Sequence, residues 1–310
     1  MSTISIGESI GEGFRLIGKR PVAVLVWGLA RTALAAGMFS LLAPFYLSFF
    51  KQISERAAAQ AAGAAPQPPD LGPILAMQGA SSLISLVSAF VGAILFCAIT
   101  RAVLFPEKRA YAYMRVGAPE LFLFLLIFGA SIAAGIAMVI AMVPIVLIAG
   151  IALAAHAAVV GIAAGVFGGM AVFALALWVA CRFSLIGPMM VQDGKFHFAD
   201  AWALTKGYAG TLFLIGLLLF VVVMIIESVI GVVALALGLG FLGQAAGGLG
   251  NLQTFFNRPP AELLASLEPA LIVIAVLSIP LNGAFQAIMV APWARAYRDL
   301  AQPDVSATFA

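Results

Sequence analysis

Charged side chains are what this sequence has least of, at 9% of 310 residues against roughly 25% in an average soluble domain. A water-soluble chain of this length covers its surface mainly with polar and charged groups, and this composition cannot supply them. Cysteine is scarcer still. Cys97 and Cys181 lie inside apolar segments and show no CxxC or zinc-type spacing, which excludes a disulfide scaffold and leaves both as small packing residues. The two histidines, His156 and His197, stand far apart and are expected on opposite membrane sides, which defeats a shared metal site. What is abundant is hydrocarbon: 64% of the residues are hydrophobic and the mean hydropathy is +1.13. The bilayer is the solvent this composition fits, and a disordered chain or an ordinary cytosolic enzyme is excluded with water.

A transmembrane helix needs about 20 largely apolar residues. Read with that window, the chain is one integral membrane domain, 1–310, with spans near 21–50, 74–105, 119–152, 158–191, 209–242 and 269–298. The net charge of +3 does not point to nucleic acid, because the bases cluster at the ends of these spans. Six spans put twelve Lys and Arg on the side of the termini and three on the other, with Arg31 inside the first span. That bias places both termini in the cytoplasm of a bacterial cell, in its inner membrane. The long apolar run from Leu121 to Val191 could hold two long helices or three short ones. A third crossing would move Lys195 and Lys206 outside and spoil the asymmetry, so two helices are expected, turning near His156. No cleavable signal peptide is expected, since Glu8, Glu12, Arg15, Lys19 and Arg20 interrupt the first twenty residues.

The outer loops are small. Residues 51–72 end in an Ala/Pro-rich stretch expected to be a frayed helix end and a flexible linker. Residues 243–268 carry Phe255 and Phe256 and then PPAELLASLE, where Pro259 or Pro260 is expected to open a short helix on the outer surface. The chain reads as three helical hairpins. Each starts with a polar lead-in bearing an aromatic and a base: Phe14 with Lys19, Tyr111 with Arg115, Trp202 with Lys206. Each ends near a proline at its cytoplasmic exit, Pro106, Pro188 or Pro292; Arg101 and Arg182 precede the first two, and Arg295 and Arg298 follow the third. In the first lead-in Ile6, Ile10, Phe14 and Ile17 share one helical side while Glu8, Glu12, Arg15 and Lys19 lie elsewhere. This suits an amphipathic helix in the inner headgroup layer, or a solvated helix that merely precedes a span. Arg15, Lys19, Arg101, Arg115, Arg182, Trp202 and Lys206 are the candidates for contact with anionic headgroups, each base worth about 1 kcal/mol there.

The segment from Cys181 to Leu219, with Arg182, Pro188, Asp193, Gly194, Ala201, Trp202, Lys206 and Gly207, resembles the recurring signature of a large set of bacterial six-helix inner-membrane proteins. That set includes the membrane domain fused to some glycerophosphodiester phosphodiesterases. The resemblance covers most of the chain as architecture but is specific in this segment. It implies a location and an architecture; the phosphodiesterase domain itself is absent, so its activity does not follow.

Polar groups inside the spans are the remaining functional evidence. Arg31 lies about ten residues into the first span and Glu227 about eighteen into the fifth, roughly 15 and 27 Å from the inner surface. Three readings stay open: a mutual ion pair, a water-filled vestibule, or Arg31 snorkelling with Glu227 near the outer interface. Gln78, Ser81, Ser85 and Ser88 line one side of the second span, and Ser278, Asn282 and Gln286 one side of the sixth. Such stripes face either a polar pathway or a neighbouring helix. Gly161, Gly165 and Gly169 are read as helix packing on the fourth span. GLGFLG at 238–243 follows no strand and is a glycine-rich helix end. Nothing brings Asp193 or Asp200 beside a nucleophile with His197, so no catalytic residue, metal or cofactor is expected. The expected fold is an all-α polytopic bundle of six long helices in three hairpins, with cytoplasmic amphipathic helices. Its expected role is a non-catalytic module that binds membrane lipid, a membrane-protein partner or a second copy of itself. The alternative is a small transporter or permease for an amphipathic solute, tested by whether Arg31, Glu227, Asn282 and Gln286 converge.

Overall fold

The computed structural model describes residues 4–61, 63, 72–107, 110–248, 250 and 258–301. Among the described residues the chain is helical, with no strand. An amphipathic helix α1 (Ile6–Lys19) precedes three pairs of long helices: α2 (Pro21–Ala61) with α3 (Gly72–Leu104), α4 (Ala118–Ala154) with α5 (Ala158–Phe183), and α8 (Ala209–Ala246) with α9 (Pro260–Ala301). Two short helices, α6 (Ile186–Asp193) and α7 (Phe198–Leu204), connect the second pair to the third. Six helices are long and apolar enough to cross a membrane, so the chain is a multi-pass membrane protein. Its backbone polar groups must pair within each helix in lipid, and an all-helical chain is the solution that leaves no open edge.

The turn between α4 and α5 falls at His156, whose backbone is left-handed (φ 57°). Two expectations change. PPAELLASLE does not form a separate outer helix: Pro260 opens α9, which continues unbroken to Ala301. Proline suits a first helical turn, where its missing N–H would have no partner. Pro292 is not an exit either, since α9 runs on beyond it. The expected linker after Ala61, Gly63 apart, and Phe255 with Phe256 lie outside the described residues.

The chain divides into two compact units, 1–19 with 92–220 and 287–310, and 20–91 with 221–286. In the second unit α2 crosses α9 at two glycines. A Cβ on Gly28 would overlap the Ile279 carbonyl, and one on Gly283 would overlap that of Val24. Only hydrogen at both positions permits this approach, which in lipid supplies van der Waals packing where no hydrophobic force between helices exists. Trp27, beside Gly28, is fully buried. Four residues beyond Gly28, Thr32 accepts a hydrogen bond from Asn282 Nδ2 at 2.9 Å. In the first unit Ile4, Leu185, Leu212, Ile215, Ala296 and Tyr297 form one core cluster, and Ala93, Cys97, Leu123 and Val191 another. The α4–α5 hairpin packs along itself: Gly161 is pressed on the Ala149 carbonyl and Gly168 on Ile145, whereas Gly165 and Gly169 face open space. The contact repeat on α5 is thus seven residues, not the four of GxxxGxxxG. Side chains such as Ile136, Val139 and Ile140 on α4 and Phe167 and Phe173 on α5 stay exposed, a surface suited to acyl chains.

Candidate functional site

In the first unit, each arginine at the end of a hairpin reaches the lead-in of the next hairpin, and the last reaches the first. Arg101, on the last turn of α3, is 4% exposed and forms an ion pair with Glu120 Oε1; Glu120 is fully buried. Glu120 lies in the first turn of α4 behind Gly117 and Pro119, where the positive end of the helix dipole favours a carboxylate. Arg101 also donates to the Tyr113 carbonyl at 3.4 Å, and Tyr113 Oη donates to the Pro106 carbonyl at 3.0 Å. These bonds hold a left-handed turn at Tyr111, Ala112 and Tyr113 (φ 52°, 52° and 64°), a conformation costing roughly 1–2 kcal/mol per non-glycine residue. The second lead-in is therefore a short left-handed turn rather than an amphipathic helix.

Arg182, on the last turn of α5, is 6% exposed and lies over the ring of Trp202 on α7, 4.3 Å from its centroid. Trp202 meets Trp178 edge to face, with centroids 5.2 Å apart, and Phe183 at 5.3 Å. Thr205 Oγ1 donates to the Arg182 carbonyl at 2.9 Å, tying the third lead-in to the second exit.

Arg295 on α9 closes the series on α1. It forms an ion pair with Glu8, lies 3.0 Å from Asp299 and 3.8 Å from Glu12, while Arg298 lies 3.9 Å from Glu12. Arg298 also donates to the Val103 carbonyl at 3.2 Å, and Tyr297 Oη to Gln192 at 2.8 Å. Glycine makes the docking of α1 possible, since a Cβ on Gly13 would come within 2.7 Å of Ile288 Cα. The face of α1 turned inward is therefore Ser9, Glu12, Gly13 and Leu16, all buried. Ile10 and Ile17 are half-buried, and Phe14 is exposed, as are Arg15 and Lys19.

Between α6 and α7, His197 is held by two carboxylates, Nδ1 to Asp200 at 2.8 Å and Nε2 to Asp193 at 2.6 Å. The bond to Asp200 does most to lift the imidazole above its ordinary value, burial opposes it, and Asp193 adds to the rise. An imidazolium donating both N–H groups is a clamp; neither nitrogen is left to act as a base. Among the described residues no group of His, Cys, Asp and Glu has metal-binding geometry.

The remaining candidates fall apart into separate roles. Arg31 is half-buried and Glu227 exposed, and among the described residues no ion pair joins them. Asn282 serves the contact with Thr32. Gln78 and Ser85 are exposed, Ser85 bonding back to the Ser81 carbonyl, Ser88 donates to Met38 Sδ, and Gln286 is half-buried. No hydrogen bond joins the two stripes among the described residues. Of the headgroup candidates, Arg15, Lys19, Arg115 and Lys206 are exposed and Trp202 is half-buried. Arg101, expected at the headgroups, does not face them: it is buried and its charge is neutralised inside the protein by Glu120. Glu120 went unnoticed in the sequence, although a lone acid one turn into an apolar span is the signal of a buried partner. The Asp193–His197–Asp200 clamp went unnoticed too, despite spacings of four and three that bring residues together at a helix start.

No family model, no curated protein and no solved structure matches this chain.

Proposed function

We propose that this protein is a non-catalytic module of a bacterial inner membrane, with both termini cytoplasmic, whose cytoplasmic rim engages anionic lipid headgroups or a membrane-protein partner seated among them. The observation that carries this reading is the orientation of α1. It docks on α9 through Ser9, Glu12, Gly13 and Leu16, while Phe14 and Lys19 stay exposed and Arg15, at the edge of that face, pairs with Glu12 at 3.0 Å. A helix that docks through one face and leaves an aromatic ring and a base exposed beside it fits the boundary between headgroups and acyl chains. The resemblance of the segment from Cys181 to Leu219 to six-helix inner-membrane proteins supports the same reading. Solute transport draws less support, because among the described residues Arg31, Glu227, Asn282 and Gln286 share no ion pair or hydrogen bond.

A spin label at Phe14→Cys in vesicles containing phosphatidylglycerol should be reached by oxygen more readily than by a water-soluble relaxant. Adding Ile10→Asp should reverse that order. A label equally open to water in both proteins would overturn the proposal.

A further inference from the structure

Two of the three exit arginines are neutralised within the protein, Arg101 by Glu120 and Arg295 by Glu8 and Asp299. Arg182 is buried about as deeply as Arg101, at 6% exposure, and more deeply than Arg295, yet no carboxylate lies within ion-pair distance of it among the described residues. Its Nε is buried without a hydrogen-bond partner. The acids nearest in sequence, Asp193 and Asp200, are both engaged by His197. Trp202 attracts the guanidinium through its ring face but carries no charge to balance it. A buried cation without a counter-charge is among the costliest arrangements a protein can hold, and a bound anion would offset that cost. Around it the chain supplies what a lipid anion needs. Lys206, exposed, follows directly on Thr205, whose hydroxyl bonds the Arg182 carbonyl. Trp178, 48% exposed on α5, stacks edge-on against Trp202, and tryptophan prefers the headgroup boundary.

We propose that Arg182 is the central cation of a phosphate-binding site, completed by Lys206 and walled by Trp202, and filled by the phosphate group of a phospholipid. The proposal rests on the reading of a headgroup-binding rim and gives that rim a ligand class and a specific residue. Guanidinium binds phosphate through paired N–H groups, which an ammonium or an amide cannot reproduce.

The test is native mass spectrometry of the full chain in a phosphate-free neutral detergent, titrated with phosphatidylglycerol. Wild type should retain one lipid that Arg182→Gln binds about tenfold more weakly or worse, with Arg182→Lys, which keeps the charge, in between. A glucosyl diacylglycerol, which has no phosphate, should bind both proteins alike. Competition by inorganic phosphate would show that a free phosphate group suffices, and its failure to compete would show that the lipid is required; the site stands under both results. Equal retention of phosphatidylglycerol by wild type and Arg182→Gln, when the variant keeps its helical circular dichroism, overturns the proposal. So does equal discrimination against the glucosyl lipid. The Phe14 label separates this inference from the one it rests on. If Arg182-dependent retention persists while that label sits in water, the α1 reading fails alone. If the label sits in lipid while retention ignores Arg182, the phosphate site fails alone.

Discussion

Replacing Glu120 by Gln tests whether the exit arginines are held by charge or only by shape. Gln keeps the side chain's outline but removes the negative charge facing Arg101. The partner left behind is 4% exposed and keeps one bond, 3.4 Å long, to the Tyr113 carbonyl. Both members of this pair are buried, so solvent screening does not reduce the loss, and removing one partner of such a pair costs about 3–5 kcal/mol. Each 1.4 kcal/mol is about tenfold, so the folding equilibrium constant from a denaturant titration in detergent micelles should fall by about a hundredfold or more. The companion variant Arg101→Met/Glu120→Leu removes both charges and refills the space with hydrocarbon. It should lie within about 1–2 kcal/mol of wild type, because the desolvation cost of both ions disappears along with their attraction. The double-mutant cycle then gives a large coupling between the two positions. A loss below about 1 kcal/mol for Glu120→Gln, the range of an exposed surface pair, would refute the account of a buried, mutually dependent pair.

Gly283→Ala places a methyl group on the Val24 carbonyl and should cost about 1–3 kcal/mol in the same titration, whereas Gly165→Ala, with open space around it, should be neutral or slightly stabilising. Equal effects would show that α2 and α9 do not approach as described. Arg295→Ala removes its contacts to Glu8 and Glu12, so amide hydrogen exchange across residues 6–19 should quicken about tenfold; unchanged exchange means that packing at Gly13 and the Arg298–Glu12 contact hold α1 without Arg295. His197 should titrate above its ordinary value near 6.5, and Asp200→Asn should bring that value down, as read by NMR of labelled histidine. Because the folded value is raised, the clamp's contribution is fully present below the ordinary value and is lost as pH rises through the folded one. A His197 titrating at or below 6.5 in the wild-type protein would contradict the clamp.

How much of this was legible in the sequence depended on the range of the interaction involved. The six spans and the turn at His156 follow from hydropathy and from the distribution of Lys and Arg, which are local properties of the chain. The amphipathic character of α1 was equally readable, since Ile6, Ile10, Phe14 and Ile17 recur at the helical period. The glycines were misread because spacing alone cannot say what stands opposite. The GxxxGxxxG run on α5 offered three equivalent residues, but Ala149 and Ile145 come close only to Gly161 and Gly168. The closest approach in the second unit uses Gly28 and Gly283, which belong to no motif and lie 255 residues apart. The exit arginines looked alike as interfacial bases; whether each meets an acid, an aromatic ring or both is decided by elements that are distant in sequence.

The sequence by itself determined the solvent, the number of crossings and the amphipathic helix, because transfer from water to lipid acts on each residue where it stands. Only the tertiary structure decided which face of α1 is occupied, which glycines carry a crossing and which buried arginine has no counter-charge among the described residues. Those are properties of pairs, and a pair comes into being only when the chain brings its two members within a few ångströms.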